Sequence, residues 1–168
     1  MPHLFNKLQQ AWAFYVATNM GFSCQIGSWG YDKYGKRVKA FRNKKMMFND
    51  DIAKRLENVQ IENVDACKII ESRDAENSFH YADPPYIDSN QAHYGGYNEI
   101  DYTRLLDTLS NVKGKFLLSS YPSAILDEYI KRFGWYTKTF TKTLSASKGV
   151  AGQKRKTKVE VLTANYPI

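Results

Sequence analysis

Cysteine is scarce in this chain. Cys24 and Cys67 are the only two, far apart and without Cys-x-x-Cys spacing, so neither a disulfide framework nor a zinc site has support. Buried free thiols in a reducing cytosol are the expectation. Long apolar runs are missing as well: no stretch reaches the ~20 residues of a membrane span, and the N-terminus has no basic segment leading into an uncharged apolar one. A soluble cytoplasmic protein is expected. Internal repeats and low-complexity tracts are also absent. Acidic residues are outnumbered, 17 against 24 Lys and Arg, for a net charge of +7. That balance favours an acidic partner, with nucleic acid and anionic membrane as candidates between which charge alone does not choose. What the chain has in plenty is core material. Its 168 residues are 43% hydrophobic and 14% aromatic, enough for a single domain spanning 1–168 and too apolar for disorder.

Periodicity gives a mixed chain. Leu4, Leu8, Ala11, Trp12, Tyr15 and Val16 fall at helical spacing and predict an amphipathic helix over Leu4–Thr18. Gly21–Lys45 is rich in Gly, Tyr, Lys and Arg without a clear period, and reads as loop or irregular hairpin within a basic, aromatic-rich region, 21–48. Asn49 or Asp50 is placed to cap a short helix through Leu56. VQIEN (59–63) then predicts a strand, ACKIIE (66–71) a helical turn and FHYA (79–82) a second strand. Helices are expected over Asp101–Leu109 and Ser123–Phe133, a buried strand at KFLLSS (115–120), and two terminal strands at YTKTFTKT (136–143) and KVEVLTANY (158–166). SASKGVAGQKRK (145–156), between the last two, reads as a basic loop. Alternation of this kind predicts a doubly wound α/β sheet, whose ligands sit beyond the carboxyl ends of strands.

One such end carries unusual chemistry. FHYADPPYID, Phe79–Asp88, stops an apolar strand with an acid, two prolines and a tyrosine. Pro-Pro fixes two φ angles and removes two N–H donors, so the backbone is stiff and presents carbonyls without competing donors. The Asp83 carboxylate and the Pro84 carbonyl can each accept one hydrogen bond from a planar amine, and Tyr86 can stack on the ring that bears it. Two acceptors and no donor select for NH2 and localise electron density on its nitrogen, which suits attack on an electrophilic carbon. A rigid turn with a capping Asp is the plainer alternative. It explains Asp-Pro better than the whole tetrapeptide, which average composition yields by chance in roughly one chain of this length in a thousand.

DPPY after an apolar strand resembles the signature of the Dam-type (D12 class) adenine-specific DNA methyltransferases of bacteria and phages. RLENVQIENVDACKII (55–70), KGKFLLSSYPS (113–123), KTKVEVLTANYP (156–167) and NMGFS (19–23) are similar to further segments of that family, so the resemblance covers most of the chain. It implies a Rossmann-like methyltransferase fold closed by an antiparallel C-terminal strand pair. It also implies that the methyl of S-adenosylmethionine passes to N6 of an adenine flipped out of duplex DNA, with no metal or covalent intermediate. Asp83, Pro84 and Tyr86 would hold that adenine while Pro85 shapes the turn. Asp65 would lie near the cofactor adenine, with an ordinary helix N-cap as the alternative.

The family's glycine-rich cofactor loop, Phe-x-Gly-Gly after a first strand, and its ribose-binding acid have no counterpart here. Gly21, Gly27, Gly30 and Gly35 do not follow an apolar strand. The chain therefore resembles a methylase without its N-terminal part, in which VQIEN and FHYA would flank a gap. A second chain, self-association, or the state of a remnant are the three ways to account for it. Lys36, Arg37, Lys39 and Arg42, interleaved with aromatics, are candidate DNA contacts, as are Lys154, Arg155 and Lys156 on the loop that closes over substrate in the family. His80 is expected in the core. HYGGY (93–97) reads as a lid hinged at Gly95 and Gly96, and His80, His93, Tyr94 and Tyr97 are given no chemical role. Two function classes stand: an adenine-N6 DNA methyltransferase completed by a missing segment, with RNA adenine or cytosine N4 as variant targets, or a catalytically silent DNA- or partner-binding subunit.

Overall fold

The computed structural model describes residues 5–21, 32–87, 96–143 and 157–168. They form two compact units, Met1–Glu62 and Asn63–Ile168. Among the described residues the first contains three helices: α1 (Lys7–Met20), α2 (Lys36–Met46) and α3 (Asp50–Leu56). Asn6 opens α1 through a capping box, its side chain accepting from the Gln9 N–H while Gln9 returns to the Asn6 N–H. Asn49 caps α3, as the sequence suggested.

The stretch expected to be loop is in part a helix. Over Lys36–Met46 the chain has neither Gly nor Pro and consists mostly of strong helix formers, which suffices without a clean apolar period. Gly35, at φ 63°, turns the chain into α2. Having no side chain to cap with, it leaves that task to Asp32, whose carboxylate accepts from the N–H groups of Arg37 and Val38 at 2.8 and 3.1 Å. The inward side of α2 rests on α1: Phe41 lies 6.0 Å from Trp12 and 5.9 Å from Tyr15, ring centre to ring centre, and the Lys44 ammonium donates to Asn19 at 2.8 Å.

The described residues of the second unit form a four-stranded mixed sheet with three helices. Its elements are α4 (Ala66–Arg73), β1 (Phe79–Ala82), α5 (Glu99–Ser110), β2 (Lys115–Ser120), α6 (Ala124–Phe133), β3 (Tyr136–Thr143) and β4 (Thr157–Ala164). The spatial order is β1-β2-β4-β3, with β1 parallel to β2 and the remaining pairs antiparallel. Side chains alternate between the faces of a sheet, so Ala82, Phe116, Leu118 and Val161 share one face by their register. All four belong to the core, with Cys67 and Ile70 of α4, Leu105, Leu106 and Leu109 of α5, and Leu126 and Tyr129 of α6. Each fully buried side chain among them stabilises by ~1.5–3 kcal/mol. The helices of this unit thus line one face. On the other, Phe79, Tyr81, Tyr136 and Phe140 stay exposed, which departs from the doubly wound expectation.

VQIEN also departs from expectation. Residues 59–63 are not a strand, and Val59 and Ile61 are exposed. Without a neighbouring strand to take its N–H and C=O groups, a β-prone run has no ladder to join.

The amino end of the parallel pair is clamped. Asp74 accepts from the N–H groups of Lys113 and Gly114 at 2.7 and 3.1 Å, and from the Ser78 hydroxyl at 3.2 Å. His80, whose side chain is nearly covered, places Nε2 3.0 Å from Ser78 Oγ and 3.3 Å from Asp74. A Cβ on Gly114 would fall 2.6 Å from the Ser78 carbonyl and 2.7 Å from that of Ala75, so only glycine fits. Asn165 closes the clamp from the far side, donating to the Gly114 carbonyl and accepting from the Phe116 N–H.

Candidate active site

β1 ends where its chemistry begins. Ala82 is buried and pairs with Leu118, whereas Asp83 is exposed beyond the last ladder pair. Pro84 and Pro85 lack the N–H needed to continue that ladder, so the chain turns off the sheet there. β2 runs two residues further, to Ser119 and Ser120, and its end meets the motif from the side. The Tyr86 hydroxyl lies 2.9 Å from Ser119 Oγ. The Tyr86 ring packs on Tyr121, centroids 4.3 Å apart and planes inclined by 58°. On Tyr121 in turn sits the ammonium of Lys158, from β4, 4.7 Å from the ring centre.

A narrow crevice separates Pro84–Ile87 from Ser120–Ser123, and Tyr102 of α5 lines it from the core side. Burial raises the pKa of the Tyr102 hydroxyl against the opposing effect of its neighbour Ser120. The Tyr86 hydroxyl is raised too, first by burial and further by the negative charge of Asp83, while Ser119 opposes the shift. Tyr86 therefore stays a neutral phenol beside Asp83. An exposed carboxylate, a proline carbonyl and a half-buried aromatic ring thus lie together at the carboxyl end of a parallel strand, where α/β sheets place their ligands.

The structure brings Asp83, Pro84, Pro85 and Tyr86 together at the end of β1. Asp65 caps α4, accepting from the Lys68 N–H at 3.2 Å, and pairs with Arg104 of α5 at 2.5 Å. The guanidinium, followed by the cap, holds its carboxyl below the usual range. Lys36, Arg37, Lys39 and Arg42 lie on α2 of the first unit, with a division of labour that the sequence did not suggest. Arg37 turns towards α1, where its guanidinium reaches the Met20 carbonyl at 3.5 Å. Lys36, Lys39 and Arg42 recur at helical spacing on the side away from Phe41, and all are exposed. Lys154, Arg155 and Lys156, with His93, Tyr94, Gly95, Gly27 and Gly30, lie outside the described residues. Gly21 ends α1 and Gly35 opens α2, so neither forms a turn after a strand. Sequence reasoning missed Ser119 and Tyr121. Their signal was a pair of hydroxyl residues and an aromatic closing an otherwise apolar strand beside the motif.

These residues belong to a mixed α/β unit that sets an acid, two prolines and a tyrosine at the carboxyl end of a parallel strand. Residues 9–144, most of the chain, match the family described as D12 class N6 adenine-specific DNA methyltransferase, and the chain belongs to that family. No curated protein sequence matches it significantly. Among the described residues no helix is long and apolar enough to cross a membrane.

Proposed function

We propose that these residues form the target-base side of an S-adenosylmethionine-dependent methyltransferase acting on N6 of adenine in DNA. The observation that carries the reading is the geometry of 83–86, an exposed carboxylate and a donor-free backbone set beside a braced aromatic ring. Asp83 and the Pro84 carbonyl accept the two N–H bonds of the amine and turn its nitrogen lone pair outward, while Tyr86 carries the face of the base. As charge develops on nitrogen in the transition state, both acceptors strengthen, which is the differential binding that catalysis requires. Lys36, Lys39 and Arg42 supply phosphate contacts.

Enzymes of this family use S-adenosylmethionine, which supplies the methyl group. The described residues do not fit the whole cofactor, since no glycine among them follows a strand to admit its methionine and ribose. We assign that cradle to a segment outside these 168 residues, of the same polypeptide or another. β1 gives it a place to attach, because among the described residues this strand pairs on one side only, leaving a ladder edge of the kind proteins cover or pair. Joined there, the segment extends the sheet into a Rossmann-like fold, and Asp65 exchanges Arg104 for the cofactor adenine. The unmatched glycine loop also supports a second reading, a DNA- or partner-binding subunit without catalysis. The test is methyl transfer to adenine-containing duplex DNA by the chain with and without the family's cofactor-binding segment, added in trans or fused. Activity only with that segment is expected. Activity by the isolated 168 residues would refute the need for completion, and inactivity of the completed protein would favour the silent subunit.

A further inference from the structure

The notable feature beside the motif is a residue with no role so far: Tyr121, in the turn between β2 and the Ser123 cap of α6. Its ring lies 4.3 Å from that of Tyr86, centre to centre, with the planes inclined by 58°, and carries Lys158 at 4.7 Å. Two rings so close leave no space for a third between them, since a sandwiched base needs about 7 Å from wall to wall. A base stacking on Tyr86 must therefore lie on a side of the ring that Tyr121 leaves open. We propose that Tyr121, backed by Lys158, is a positioning residue that braces Tyr86 from behind, and with Ser119 presets the tyrosine for the incoming base. The proposal rests on the reading that Tyr86 stacks on the target base.

Three contacts divide the work. Ser119 fixes the tip of Tyr86 at 2.9 Å, Tyr121 limits the tilt of its ring, and Lys158 holds Tyr121 by attraction between its ammonium and the π face. A side chain ordered before binding does not have to be ordered by it, and one such side chain corresponds to about two- to tenfold in affinity. Lys158 thereby acquires a function other than phosphate contact. It is the second residue of β4, so its backbone is fixed by that strand.

The experiment uses a duplex with a single 2-aminopurine opposite an abasic site, a base free to leave the helix and quenched when it stacks on an aromatic ring. With the chain in its completed form, saturable quenching that disappears in Tyr86→Ala is expected. Tyr121→Ala should weaken the half-saturation concentration by about three- to tenfold at unchanged melting temperature, and Tyr121→Phe should restore it, because the ring and not the hydroxyl makes the contact. Lys158→Gln, which keeps a long polar side chain on the strand, should weaken it by about two- to threefold at unchanged melting temperature. Quenching that depends on Tyr86 but is indifferent to both Tyr121→Ala and Lys158→Gln would overturn the bracing role alone. Quenching that is absent, or the same in Tyr86→Ala, would overturn the stacking reading beneath it.

Discussion

Replacing Asp83 separates chemistry from folding more cleanly than any other single change in this protein. The carboxylate lies one residue beyond the last ladder pair of β1 and is exposed, whereas the side chain before it, Ala82, is in the core. Asp83→Ala therefore removes no packing, and the stability change should stay within about 0.5 kcal/mol, as for surface sites generally. The amine loses one of its two acceptors, and that loss is felt most when positive charge builds on nitrogen. A preorganised partner of this type is worth ~10²–10³-fold in rate, or ~2.7–4 kcal/mol of transition-state stabilisation. Asp83→Asn sharpens the test. It preserves shape and removes the charge, but can turn an NH2 towards the amine where an acceptor is needed, so it should be no better than alanine. The assay is methyl transfer from labelled S-adenosylmethionine to duplex DNA by the completed protein, with thermal denaturation of each variant in parallel. Near-normal turnover with either variant would refute the acceptor role. A large drop in melting temperature would show that the carboxylate serves the fold instead.

Gly114→Ala drives a methyl group against two backbone carbonyls at 2.6 and 2.7 Å, so it should destabilise the second unit by ~1–3 kcal/mol or more, measured by denaturant unfolding. Asp74 is held at about 2 against an ordinary 3.8, chiefly by the Lys113 N–H, so its contribution to stability is complete above pH 4 and is lost as pH falls from there towards 2. Asp74→Asn should flatten that part of the stability profile, and an unchanged profile would remove Asp74 from the clamp. Binding to duplex DNA should weaken with salt by about 0.9 in log affinity per neutralised phosphate for each log unit. Reversing Lys36, Lys39 and Arg42 to glutamate should lower that slope, and a slope equal to the unmodified protein's would clear α2 of phosphate contact.

The parts of this protein that were legible in its sequence are those in which local chemistry and tertiary environment agree. KFLLSS is apolar enough to need burial and short enough to be a strand, and as β2 it lies in the middle of the core. Ser123 and Asn49 signalled caps because an oxygen ahead of a helical run has few other uses there. VQIEN misled because β-propensity expresses fit to a neighbouring strand, and residues 59–63 have none to fit. α2 was hidden for the opposite reason: a helix held to its neighbour by Phe41 and by long cationic side chains shows no apolar stripe. The same contrast runs through the site. Asp-Pro-Pro-Tyr stands out since no strand needs two prolines after its last pair, and the oddity marks the residues assigned here to the amine. Ser119 and Tyr121, which hold Tyr86, are ordinary at the end of a strand, and only the 2.9 Å bond and the 4.3 Å ring contact show what they do. Residues that meet the substrate must depart from the needs of the fold, and so can be read in one dimension. Those that position them satisfy the fold at the same time, and are visible only when the chain is folded.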